Sequence, residues 1–194
     1  MNNKEGIIQN LLNNALELNH KGLKTKTPKQ KIVFFKQSLN LYKKILKIDK
    51  KNIKAIQGIS RIYLHQKKFS NALNFSLLGL KLSNHKNRYI FLNSLGNIYR
   101  YLGDWDKEKN KNYTKSIRYY LETIKLNPYP KIATLYWSNL SRSYAGLQDW
   151  SKAIKANEKA LKILEKETIP HGNLKKILKL ENQLYKEYIK RTLL

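Results

Sequence analysis

Apolar residues recur at helical spacing along almost the whole chain. Residues 3 to 19 carry Ile7, Ile8, Leu11, Leu12, Ala15 and Leu18, the i, i+3, i+4 pattern of one packed helix face. Gly22 and Pro28 interrupt it between Lys21 and Gln30, which predicts an inserted loop or a broken helix end. A second face resumes near Lys31 with Ile32, Phe35, Leu39, Tyr42, Ile45 and Leu46. Next come Ile56, Ile59, Ser60 and Tyr63, then Ala72, Leu73, Ser76, Gly79 and Leu80, with Ser70 as a candidate N-cap of the second helix. Leu92, Leu95, Gly96 and Tyr99 predict another helix, followed by Tyr113, Ser116, Tyr120 and Ile124 as far as Asn127-Pro128. Trp137, Leu140, Ser141 and Tyr144, then Ala153, Ala160 and Leu161, give a further pair, stopped by Pro170-His171-Gly172. From Asn173, a candidate N-cap, a last helix places Leu174, Ile177, Leu178, Tyr185 and Tyr188 on one face. The predicted class is all-α.

The faces also share a register. Tyr63 to Phe69, Tyr99 to Trp105, and Tyr144 to Trp150 are each six apart, and Ser38, Ala72, Ser116 and Ala153 are separated by 34, 44 and 37. The long middle interval holds an insertion of about two helical turns after Trp105. Asp106 and Glu108 are acids suited to a first helical turn, so the second helix is expected to begin near Asp106 and protrude. A lysine-rich loop from Lys107 to Asn112 is the alternative.

The stretch from Trp137 to Leu161, WSNLSRSYAGLQDWSKAIKANEKAL, resembles the tetratricopeptide repeat family, whose helix-turn-helix unit shows a Trp, a Leu-Gly pair, a Tyr and spaced alanines. Leu95-Gly96 with Tyr99 is the best Leu-Gly match. The resemblance implies one domain over 1–194, a right-handed α-α superhelix with repeats at about 3–52, 53–86, 89–128 and 132–167. A capping helix over 173–190, with a polar outer face, closes it. It also implies a non-enzymatic scaffold or adaptor that binds a partner's peptide or helix in a concave groove lined by the first helices. Mapped onto this chain, that groove takes Gln57, Arg61 and His65; Asn93, Asn97, Arg100 and Tyr101; Ser138, Asn139 and Arg142; and Lys175, Lys176 and Lys179. Asn97, Asn139 and Lys176 stand where some chaperone-escorting family members clamp a peptide carboxylate. Asn93 and Gly172 occupy positions where lysines are expected, so that clamp is incomplete.

Charge changes the picture of the partner. Lys and Arg total 39 against 13 acids, a net charge of +26. Only six residues are arginine, and Arg61, Arg100 and Arg142 fall on the groove face. Arginine's planar fork pairs bidentately with carboxylate or phosphate, so the expected partner is acidic. The alternative is a nucleic-acid-binding helical-repeat protein using its basic surface; against it, AT-rich codons account for much of the lysine excess, and the lysines are spread from end to end as solvated faces. Self-association through the solenoid ends is a third expectation.

Other chemistry is sparse. The chain lacks cysteine, which removes disulfides and thiolate metal sites. His20, His65, His85 and His171 lack ligand spacing, and Glu165 with Glu167 reads as surface charge. The glycines form no phosphate-cradling loop. No enzyme activity, cofactor or metal is expected. No run approaches the roughly 18 apolar residues of a membrane span, and the amino terminus lacks a leader pattern. A cytoplasmic protein is the expectation.

Overall fold

The computed structural model describes residues 3–126, 130–166 and 173–192. They fold into two compact units, one ending at Asn84 and the other starting at His85. In the first unit lie α1 (Asn3–Lys24), α2 (Pro28–Ile48), α3 (Ile53–His65) and α4 (Phe69–Leu82). The second contains α5 (Arg88–Trp105), α6 (Lys109–Leu126), α7 (Pro130–Gly146), α8 (Trp150–Lys166) and α9 (Leu174–Thr192). Each unit stacks antiparallel helix pairs in the manner of an α-α solenoid. The predicted stops at Asn127-Pro128 and Glu167 to Gly172 lie outside the described residues.

Each pair crosses at two small residues joined by one recurring hydrogen bond. Ser38 Oγ donates to Ala15 O (2.7 Å), Ser60 Oγ to Ala72 O (3.0 Å), Ser116 Oγ to Gly96 O (2.8 Å) and Ser141 Oγ to Ala153 O (2.7 Å). Small side chains let the backbones approach, and each hydroxyl then satisfies itself on the facing carbonyl, as a buried donor must. The small-residue register read from sequence is therefore the register of the helix crossings. Around them, Leu12, Phe35, Tyr42, Ile45, Ile59 and Ile62 form the first unit's core. In the second, Tyr120, Leu140 and Ala156 form one cluster, and Ala160, Leu164 and Leu178 another.

The two regular pairs turn identically. Lys67 and Gln148 adopt left-handed φ values of 57° and 61°. The next residue returns a bond to the helix, Lys68 N to Tyr63 O (2.9 Å) and Asp149 N to Tyr144 O (3.0 Å). This is the 6→1 bond of a helix C-terminal motif, and it accounts for the six-residue spacing in these pairs.

The other two pairs depart from the sequence expectations. Paired small residues are 12 apart in the regular hairpins but 23 apart in α1–α2 and 20 apart in α5–α6. The surplus forms helix, not loop. Between Lys21 and Gln30 only residues 25–27 lie outside a helix, and α1 runs to Lys24 rather than residue 19. Pro28 occupies the first turn of α2, where its missing N–H costs nothing and its fixed φ suits the helix. In the third pair, α5 continues through Trp105 and α6 starts at Lys109. This displaces the expected start near Asp106 by three residues and excludes a loop reaching Asn112. The six-residue match from Tyr99 to Trp105 is thus coincidental, since Trp105 ends one helix whereas Phe69 and Trp150 begin another.

Glycine placement explains both extensions. A Cβ on Gly22 would lie 2.7 Å from the Phe35 ring, and one on Gly103 2.8 Å from the Tyr113 ring. Both glycines serve helix contact rather than a turn. Ser70 also proves to be inside the first turn of α4, whose N-cap is Lys68. Elsewhere side-chain caps do form: Asn52 Oδ1 accepts from Ala55 N (3.0 Å) and Asp149 Oδ1 from Lys152 N (3.1 Å).

Candidate functional site

In the second unit, α5, α7 and α9 carry most of the expected groove residues. Asn97 and Asn139 come together. Asn97 Oδ1 accepts from Tyr120 OH (2.8 Å) and from Asn139 Nδ2 (3.3 Å). Tyr120 is fully buried, so its hydroxyl fixes the Asn97 amide from below. Asn97 Nδ2 and Asn139 Oδ1 make no hydrogen bond among the described residues, which leaves the pair one donor and one acceptor. Near them in sequence, Asn93 Oδ1 and Ser138 Oγ are buried without a hydrogen-bond partner among the described residues.

The arginines behave differently from the asparagines. Arg100 Nη1 lies 3.4 Å from Asp104 Oδ2, and its guanidinium stacks 4.2 Å above the Tyr101 ring. Tyr113 OH donates to the other oxygen of Asp104. Burial pushes the Tyr113 phenol well above its ordinary value, and the bond to the Asp104 carboxylate adds to this. Arg142 Nε donates to Glu181 Oε1 on α9 (2.8 Å), while Asn157 Nδ2 donates to Glu181 Oε2 (3.2 Å). Both arginines therefore already hold an acid. Lys176 is exposed on α9, and Lys175 reaches Glu165 at 3.6 Å.

Arg61 belongs to the first unit, where its Nε is buried without a hydrogen-bond partner among the described residues. It sits beside Tyr42 and His65. Burial, with Arg61 as the next cause, holds the His65 pKa below its ordinary value, and the imidazole stacks on Phe35 at 6.1 Å. Gly172, the remaining clamp position, lies outside the described residues.

Asp104, Asn157 and Glu181 escape sequence reasoning. The signal for Glu181 is its place three residues after Leu178 on the docked side of the last helix. That α9 face also needs correction. Leu178 and Tyr185 are buried, but Ile177 is 42% exposed and Leu180 and Leu184 stand open beside it. Tyr188 stacks on Trp150 at 4.7 Å. The outer side of the capping helix thus carries an apolar stripe beside its lysines.

The Arg142–Glu181 pair gives a direct prediction. Arg142 is 34% and Glu181 21% exposed, so the pair is only partly shielded. Removing one partner of a fully buried pair costs about 3–5 kcal/mol, and an exposed pair contributes about 1 or less. Arg142→Ala is expected to cost about 1–2 kcal/mol and to speed hydrogen exchange of the α9 amides before those of α5. Unchanged exchange in α9 would mean that the pair does not hold the helix in place.

No protein-family model matches the chain, and no curated protein matches it. Solved structures do. MamA 41-end from Desulfovibrio magneticus RS-1 superposes with a TM-score of 0.62 at 14% identity, covering 100% of this chain and 95% of that one. The MamA RS-1 ArsTM double mutant gives the same score and identity over 94% of its length. A further MamA crystal structure gives 0.55 at 19% identity, covering 93% of this chain and 90% of that one. MamA is a tetratricopeptide-repeat protein.

The chain has the tetratricopeptide-repeat fold.

In this fold the helix pairs are scaffold, and function rests on side chains they present. Among the described residues no group of three His, Asp or Glu could hold a metal ion, and no helix is long and apolar enough to cross a membrane.

Proposed function

We propose that this protein is a non-catalytic interaction scaffold that binds an extended, acidic peptide of a partner protein along α5 and α7. The observation that carries this reading is the Asn97–Asn139 pair. One amide is anchored through Tyr120, and together they offer a free donor and a free acceptor to a peptide backbone. Asn93 lies one turn before Asn97 on α5, but its Oδ1 is buried and is not offered to a ligand. Tyr101, 39% exposed, offers an apolar surface next to Arg100. Lys176 supplies a cation without an ion-pair partner among the described residues. Arg100 and Arg142 contribute through whatever N–H groups Asp104 and Glu181 leave over, so they are secondary anchors. Arg61 stands as a separate candidate contact in the first unit.

Selection of short random peptides against the full chain tests this. Acidic sequences should be enriched, and Asn139→Ala should weaken a selected peptide by about fivefold to tenfold, the equivalent of one well-made hydrogen bond. Asn139 is the cleaner position, because Asn97→Ala also strands the Tyr120 hydroxyl. Enrichment without acidic bias, or indifference to Asn139→Ala, would overturn the assignment.

A further inference from the structure

A row of lysines runs along α8. Lys152, Lys155, Lys159, Lys162 and Lys166 alternate in steps of three and four, which keeps them on one helix face, and all five are exposed or nearly so. At 1.5 Å of rise per residue the row is about 21 Å long with a cation about every 5 Å. Asp149 holds Lys152 at 2.6 Å. The other four make no ion pair among the described residues, although the two acids of α8, Glu158 and Glu165, flank the row next to Lys162. Like charges at this spacing repel, so the row favours a polyanion.

Beside the row is a cleft of about 180 Å³ lined by Leu121 of α6, Trp137, Leu140 and Tyr144 of α7, and Lys152 and Lys159 of α8. It is smaller than the roughly 300 Å³ at which drug-sized sites begin, so it takes one flat or compact group. Its aromatic rings pack on the core from one side and meet lysines on the other. Lys159 Nζ lies 4.4 Å from the Trp137 centroid and Lys152 Nζ 5.7 Å from that of Tyr144. Outside the cleft, α5 and α6 carry two further cation-ring contacts, Lys115 over Tyr99 at 5.0 Å and Arg118 over Tyr119 at 5.1 Å. Cations beside partly exposed aromatic rings are what single strands use, phosphates tracking the charges and bases stacking on the rings. A duplex would engage the charges and leave the rings unused, and an acidic helix would match the row without needing flat faces.

We propose that this face binds single-stranded nucleic acid, with phosphates along Lys155, Lys159, Lys162 and Lys166 and one base stacked on Trp137. The surface differs from the peptide face of α5 and α7, and the inference stands independently of it. Binding displaces Lys159 from the indole and frees it for a phosphate.

Labelled oligothymidylate titrated into the full chain at several salt concentrations tests the proposal. Binding should quench tryptophan fluorescence, and Trp137→Phe should remove most of that quench. The triple variant Lys155→Glu, Lys159→Glu, Lys162→Glu should lose about tenfold or more in affinity at moderate salt. With about 0.7 per phosphate for single strands, its slope of log K against log[salt] should flatten by about 2. A matched variant of exposed first-unit lysines, Lys43→Glu, Lys44→Glu, Lys47→Glu, should lose much less. Equal losses in the two triple variants would show only a general charge effect and overturn the site. Displacement of the oligonucleotide by polyglutamate at equal charge concentration would identify an acidic-protein surface instead. Absence of binding, or a quench unchanged by Trp137→Phe, would also overturn it.

Discussion

Gly96→Val is expected to destabilise the second unit by about 2 kcal/mol or more, with a fall in Tm of roughly 4–8 °C for a chain of this size. A Cβ at Gly96 would lie 2.7, 2.8 and 3.0 Å from three atoms of the Tyr120 ring. That ring cannot retreat, because it is fully buried against Leu140 and Ala156 and its hydroxyl is tied to Asn97. Pushing the helices apart instead would stretch the 2.8 Å bond from Ser116 Oγ to Gly96 O. Valine adds a χ1 restriction within the helix. Against these costs stands the gain from removing a mid-helix glycine, about 0.5–1 kcal/mol. Gly6→Ala isolates that gain, since nothing approaches within 4 Å of a Cβ there. It should stabilise the protein by about 0.5 kcal/mol. The two variants should move Tm in opposite directions, and wild-type stability of Gly96→Val would refute a close α5–α6 crossing.

The second large effect is alkaline unfolding. Burial raises the pKa of Tyr42, Tyr113, Tyr120 and Tyr185, and it pushes Tyr136 up to about 12, with neighbouring Tyr89 adding to the shift. A phenol in the unfolded chain ionises near 10. The folded state therefore holds these protons more tightly than the unfolded state. Their contribution is intact below about pH 10 and is lost as pH rises through the folded values, for Tyr136 between about 10 and 12. Each fully shielded phenol removes about 1.4 kcal/mol per pH unit across its window. Lysine deprotonation works in the opposite direction by relieving repulsion, but exposed charges are screened and contribute little each. Helical circular dichroism should be lost in this range together with a cooperative rise in tyrosinate absorbance, and Tyr136→Phe should move the midpoint upward. Ordinary tyrosine titration near pH 10 with helicity retained would contradict the burial of these rings.

The candidate peptide site is partly legible in the amino-acid sequence. The repeat pattern puts Asn97 and Asn139 on successive first helices, and the fold brings those two amides to 3.3 Å. Nothing in the sequence reveals that Tyr120 OH orients one of them, because that hydroxyl comes from a position 23 residues away. The lysine row of α8 is legible as spacing alone. Its significance depends on Trp137 and Tyr144 lying beside it, which is a tertiary fact.

By itself, the sequence determined the helices, most of their packed positions and the small-residue crossings at Ser38, Ala72, Ser116 and Ala153, while Ile7, Ile32 and Ile177, read as packed, stand exposed. All of these follow from the 3.6-residue period and from the need for small side chains where backbones meet. Only the tertiary structure decided what Gly22 and Gly103 do. A glycine is equally suited to ending a helix and to admitting a neighbour's ring, and Phe35 and Tyr113 make the choice. It likewise decided that Arg142 is held by Glu181, 39 residues away, and that Ile177, Leu180 and Leu184 stay open on α9. Local periodicity fixes which residues share a face, but the partner of that face is set by packing between distant segments.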